Sequence, residues 1–313
     1  MNQRIPIIIA AGLAAGIFFI VPMKGLVVAS LLAVFAPLPL MIVTLGFGWP
    51  AGLAAGAVGT AGVAGLTDPT YSALFALSTA LPAVFIGIVA LRRPLGEVLA
   101  AIVAVAALIA MGTVALATLR FGSWSLAVST SAERILPLLQ SVLRGDMPVD
   151  LQATDVARFM ARAMPLLMAA WSVATLALDT WLAARTASIS GLLPRAWANL
   201  PDGLRLPRAA LGVFVVAALA LVAPDPWRTL AGTLVVALIV AYGMQGYGAL
   251  HAMSRGRPGR TGLLATAYLM TVALMPWPLL LAAVLGVVDS LARLPRRPLP
   301  EPKSRKQGDQ TWK

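Results

Sequence analysis

Residues 46–66 read GFGWPAGLAAGAVGTAGVAGL. Gly48, Gly52, Gly56, Gly59, Gly62 and Gly65 recur at steps of four, four, three, three and three. In a water-soluble helix each would cost roughly 1 kcal/mol against alanine. Inside lipid the balance changes. Apolar helices gain little from hiding apolar surface there, so contact rests on van der Waals packing and small residues let backbones approach. Steps of three and four keep the glycines on one face. The segment at 49–66 therefore reads as a close-packing membrane helix. Span 1 repeats the device with Ala10, Ala11, Gly12, Ala14, Ala15 and Gly16. The same chemistry serves two ends, packing within a bundle or a surface for another membrane protein. The partner-facing reading points to Ala10, Ala11, Ala14, Ala15, Gly48, Gly52 and Gly56.

Composition agrees. The 313 residues are 59 % hydrophobic and 12 % charged, with mean hydropathy +0.87. Soluble domains carry about a quarter charged residues. Runs at 25–47, 102–119 and 229–250 are long enough to cross a ~30 Å hydrocarbon core. The fold class is all-α, a polytopic transmembrane helical bundle in contact with the lipid bilayer. The N-terminal run leads into VPMKGLVV without a small-residue cleavage site, so it reads as a first span and not a signal peptide.

Apolar segments fall at 5–22, 25–47, 49–66, 71–91, 98–120, 164–184, 209–223, 229–251 and 262–292. The last is too long for one simple span, and Pro276 and Pro278 divide it into two short helices, 262–275 and 278–292. Charge supports that division. With Arg4 inside, ten crossings place 17 of the 24 Lys and Arg residues in the cytoplasm, whereas nine would put the basic tail outside. The reading is thus about ten membrane-crossing helices in a bacterial inner membrane, both termini cytoplasmic. The net charge of +12 is assigned to cytoplasmic loops beside anionic lipid and not to nucleic acid. Trp49, Trp124, Trp227 and Trp277 are expected near interfaces, and Pro82 is expected to kink its span.

Four regions follow: a five-span small-residue-rich bundle at 1–121, an extracytoplasmic amphipathic segment at 122–163, membrane spans at 164–294, and a disordered basic tail at 295–313. In the second, Ile135, Leu136, Leu138, Leu139, Val142 and Leu143 make an apolar stripe at helical spacing. Such a helix lies on the membrane surface or packs on the spans as a lid.

Ionisable groups inside spans are few. Asp179 lies near the cytoplasmic end of span 6, within snorkelling distance of Arg185, as a structural pair or as a ligand-coupled group. Asp289 is expected to pair with Arg293 at i+4. Tyr247, His251 and Met244 share a face of span 8. They would line a cavity or sit as an interfacial set. One histidine and no cysteine leave no intrachain multi-histidine or thiolate metal site, and no Walker, G-x-S-x-G or H-E-x-x-H pattern occurs. No catalytic residue, metal or cofactor is expected, and the chain reads as a non-enzyme.

Three blocks carry a family likeness: 36–56 with 78–94, then 176–207, then LGVVDSLARLPRR at 285–297. They resemble the YybS-like family of predicted bacterial membrane proteins of unknown function. Where that family commonly carries an amide, this chain has Asp179. The family is distantly similar to the S components of energy-coupling-factor transporters, and that likeness covers at most the first six spans. By this resemblance Ala10/Ala14 and Ala11/Ala15 would contact a membrane coupling subunit working with an ATPase. It also implies a small-molecule solute near the outer span ends, which draws in Asp68, Tyr71 and Ser72. The implied function is binding or transport of a small solute. The alternative is a membrane assembly or scaffold protein without a substrate.

Overall fold

The computed structural model describes residues 4–24, 30–142, 149–193 and 197–295. The tail at 296–313, expected to be disordered and basic, lies outside them. Among the described residues the chain is all-helical. In order these are α1 (Arg4–Ile20), α2 (Ser30–Val34), α3 (Leu38–Phe47), α4 (Trp49–Leu66), α5 (Pro69–Phe75), α6 (Leu81–Arg92) and α7 (Leu95–Phe121). There follow α8 (Trp124–Val142), α9 (Val149–Ile189), α10 (Leu200–Gly203), α11 (Arg208–Leu219), α12 (Trp227–Met253), α13 (Arg260–Ala273) and α14 (Trp277–Ala292). Six helical stretches are long and apolar enough to cross a membrane: Arg4–Met23, Trp49–Leu66, Pro69–Arg92, Leu95–Phe121, Ala153–Ile189 and Trp227–Met253.

The glycine face of α4 is spent inside the chain. A Cβ on Gly12 would collide with the Ala55 carbonyl oxygen, and one on Gly59 would lie 2.7 Å from that of Gly12. Ala15 is fully buried in the same α1–α4 seam, with Ala11 half-buried. A second contact gathers at Thr44 of α3, whose hydroxyl donates to Leu40 O at 2.7 Å. Side chains on Gly52 of α4 or Gly87 of α6 would strike Thr44, and one on Gly56 would touch Ala80. Gly48 has φ +89°, the left-handed turn that lets α3 double back into α4. Of the residues read as partner-facing, Ala15, Gly52 and Gly56 are therefore buried by this chain's own helices. Ala10 is exposed and Ala14 half-buried.

Two segments differ from the sequence reading, and a third shows how a proline is accommodated. The span expected over 25–47 is interrupted at 35–37, between α2 and α3, where Pro37 starts a new helix. Pro82 sits just after a widened turn of its span. Its missing N–H and its ring disfavour the normal bond to residue 78, and the preceding turn, Ala76–Ala80, widens to a π-helix in which Leu81 N–H reaches Ala76 O. The boundary drawn at 163/164 falls inside one continuous helix. α9 runs 41 residues through Pro165, about 60 Å at 1.5 Å per residue. Helix α8 folds back along it. Trp124, Ala127, Val128 and Ala132 of α8 form a small core with Val114 of α7 and Ala157 and Ala161 of α9. The apolar stripe of α8 is thus partly consumed by the bundle, while Leu138 stays exposed.

The expected break at Pro276 is present, separating α13 from α14. Trp49, Trp124, Trp227 and Trp277 each begin a helix, and of these Trp124 is buried. The main core lies among α3, α6, α7, α9 and α12, around Leu40, Met41, Ile86, Val173, Leu238 and Tyr242.

Candidate functional site

The most extensively packed helix pair is α12 with α14. Gly246 and Gly286 face one another so closely that a Cβ on either would overlap the other helix's backbone, at Ala282 and Tyr242 respectively. This approach carries a polar side chain into the seam. Gln245 is fully buried. Its Oε1 accepts from Leu206 N–H at 2.9 Å, and its Nε2 lies 3.1 Å from Gly286 O, 3.0 Å from Asp289 Oδ2 and 3.0 Å from Ser290 Oγ.

Asp289, also fully buried, receives Arg205 Nη2 on Oδ1 at 3.3 Å, and the same nitrogen donates to Leu294 O at 2.8 Å. The expected partner Arg293 is not used in this pair. It adopts φ +49° and ends α14, donating its backbone N–H to Asp289 O. A tertiary arginine from the loop before α11 outcompetes the local one because the carboxylate points inward.

That loop is clamped elsewhere too. Arg255 grips Asp202 through two bonds of 2.8 Å, and Asn199 Nδ2 donates to Asp202 Oδ2 at 2.8 Å. Gly96, at the start of α7, leaves room for the Arg205 carbonyl, which a side chain would displace. Gln245→Leu should strand the Leu206 N–H and part of Asp289. It is expected to lower stability by about 1–3 kcal/mol, read as the midpoint of thermal or denaturant unfolding in detergent. Gln245→Glu should restore only the acceptor.

Beneath the clamped loop lies a cavity of about 400 Å³. Leu95, Val98, Leu99 and Ile102 of α7 form one wall, and Ala177, Thr180 and Trp181 of α9 another. Trp197, Leu200, Pro201 and Leu204 of the loop cover it, and Met244, Tyr247, Gly248 and His251 of α12 close it with Tyr268 of α13. The expected face of Met244, Tyr247 and His251 does line a cavity. Tyr268 stacks on Tyr247 with ring centroids 5.3 Å apart, and His251 Nε2 lies 2.8 Å from Tyr268 OH. Tyr247 OH is hydrogen-bonded to Thr271 Oγ1. These contacts hold α13, which buries none of its residues, against α12.

No family model matches this chain, and no curated protein or solved structure does.

Asp179 sits beside this cavity in sequence but not in its lining. It is fully buried on α9, and both carboxylate oxygens lack a hydrogen-bond partner among the described residues. The expected pair with Arg185 does not form. Six residues at 100° each put the two about 120° apart around the helix, and Arg185 is exposed. Thr180, the next residue, donates to Leu176 O at 2.6 Å and lies 3.7 Å from Met41 Sδ.

Asp68, Tyr71 and Ser72 form a separate, local arrangement at the α4–α5 turn. Asp68 caps α5 by accepting from Thr70 N–H at 2.8 Å, and Ser72 Oγ donates to Pro69 O at 2.8 Å. Hydrogen bonds from the Thr70 side chain and backbone hold the Asp68 carboxyl below its ordinary range. Tyr71 is exposed. The three polar groups are engaged in helix capping or face outward, and none lines the cavity under the loop.

Proposed function

We propose that this chain is a multi-pass protein of the bacterial inner membrane that binds a small solute in the cavity under the 197–207 loop. The observation that supports the reading is that cavity. It is aromatic and apolar with a few polar tips, it falls within the ~300–1,000 Å³ range of ligand sites, and it is covered by a loop pinned at Asp202, Arg205 and Leu206. The six long apolar helices support residence in a bilayer. In the full reading α2–α3, α11, α13 and α14 complete about ten crossings, with both termini in the cytoplasm, which would put the cavity towards the cytoplasmic side.

The distant likeness to S components adds a coupling subunit and ATPase as partners, met along Ala10 and Ala14 of α1. It favours a site at the outer turn, whereas the cavity favours the opposite end, and the proposal follows the cavity. Native mass spectrometry of protein released gently from its own membrane tests it. The wild type should carry a small molecule of defined mass. Ala177→Phe, which fills the cavity from α9, should lose that adduct while unfolding at an unchanged temperature. An adduct of equal occupancy in both proteins would overturn the reading. Recovery only in assembly with other proteins, with no small adduct, would favour a scaffold.

A further inference from the structure

The cavity does not end at its apolar walls. Trp181, Trp197, Leu200 and Pro201 also line a second, adjoining compartment of about 530 Å³, whose other faces are Arg185, Ser188, Ala198 and Asn199. The two compartments share a wall of two indoles and differ in chemistry. One is bounded mainly by leucine, valine, isoleucine, methionine and aromatic side chains. The other contains a guanidinium and short polar groups.

The polar compartment carries one cationic side chain, Arg185. Neither lining includes an acidic side chain. The neighbouring Asp202 is already gripped at two points by Arg255. Arg185 makes no ion pair with a described residue, and its exposure leaves it free to reach a bound group. Trp197, common to both compartments, has a buried indole N–H with no acceptor among the described residues. A buried donor without an acceptor is costly, and an arginine beside it fits a carboxylate or phosphate.

We infer that the joined compartments take an amphipathic anion, its apolar body among Leu99, Met244 and Tyr247 and its charged head between Arg185 and Trp197. This inference rests on the solute-binding reading and names the class of solute.

The test uses the full chain in phosphatidylcholine nanodiscs with two brominated probes of equal length, 12-bromododecanoate and 12-bromododecan-1-ol. The pH is set high enough to ionise the acid. Bromine quenches nearby tryptophan, and Trp49, Trp171, Trp227 and Trp277 are also exposed, so occupancy is read as the part of the quenching that Trp181 and Trp197 contribute. The carboxylate should half-quench at a concentration about tenfold lower than the alcohol, the difference expected of one charge-assisted hydrogen bond. Arg185→Gln should remove that preference and leave the alcohol curve and the unfolding temperature unchanged. The double variant Trp181→Phe/Trp197→Phe should lose that part and keep only the quenching of the lipid-exposed tryptophans.

Equal quenching by both probes, or a preference that survives Arg185→Gln, would overturn the anion and leave a neutral ligand in the cavity. Quenching of unchanged depth and midpoint in the double variant would place the probes elsewhere and overturn the inference. No quenching by either probe would overturn the cavity reading as well. Two sources supply this chemistry, and competition separates them. Displacement of the probe by phosphatidylglycerol in the disc points to a bilayer lipid. Displacement by unbrominated dodecanoate alone points to a free anion.

Discussion

Gly286→Val is expected to force α12 and α14 apart and to lower stability by about 3 kcal/mol, the upper end of overpacking costs. A Cβ at this position would overlap the Tyr242 carbonyl of α12, while one at Gly246 would overlap that of Ala282. The obstacle is backbone on both sides, so no side chain can rotate away. Separation would also pull Gln245 from Gly286 O and Asp289, and Asp289 from Arg205. The loop that covers the cavity would lose two of its anchors. Gly246→Val should behave alike. Gly112→Ala in α7 is the control, because nothing lies within 4 Å of its added carbon. Helix propensity alone should make it neutral or stabilising by up to ~1 kcal/mol. Unfolding midpoints of the three variants in one detergent decide the matter. Equal effects at Gly286 and Gly112 would mean that the seam does not hold the fold.

This seam was open to the same reasoning that picked out α4. Gly243 and Gly246 stand three apart, and Ala282 and Gly286 four apart. Each is a small-residue spacing like those of 46–66, with fewer repeats. Where the repeat was dense, the sequence pointed to close packing and the structure places that packing inside the chain, between α4 and α1, α3 and α6. The spacing shows that a face packs closely. It carries no information about whose helix it meets, because the contact chemistry is the same within and between chains.

Segment ends are legible where proline punctuates them, as at Pro276, and hidden where polarity changes within one helix. Residues 149–163 are polar enough to leave lipid, yet they continue α9. Hydropathy marks where a helix meets a new solvent, not where its hydrogen bonding stops. Proline at 165 costs one backbone bond and did not end it. At 35–37 the reverse happened. The apolar run continues while the helix stops, and Pro37 and Pro39 are the visible signal.

The site was half legible. The i, i+4 spacing of Tyr247 and His251 placed both on one cavity wall. Their companions Trp197, Leu204 and Tyr268 come from distant segments that no periodicity connects. The same limit explains Asp289. A local rule offered Arg293 at i+4, and the fold supplies Arg205 from 84 residues away.

Asp179→Leu is expected to raise stability by about 1–3 kcal/mol, against the usual direction of a core substitution. Asp179 is fully buried on the ridge of α9 that also carries Leu176 and Ala183, and neither carboxylate oxygen has a partner among the described residues. An ionised carboxylate there would lack the charge that normally offsets desolvation, and a neutral one would still be an unmet polar group. Leucine has the same branched skeleton and removes both penalties, and its larger methyl ends take back part of the gain in packing. Asp179→Asn keeps a polar group and should change stability little. Unfolding midpoints of the two variants test this. A clear loss of stability in the leucine variant would show that the carboxyl is satisfied after all. The variants also bear on function. The neighbouring residue Thr180 lines the cavity, so a leucine variant that is more stable yet loses its bound small molecule would explain why so expensive a group is kept. A variant that gains stability and retains the molecule would remove Asp179 from the binding machinery and leave the cavity to Trp181, Tyr247 and their neighbours.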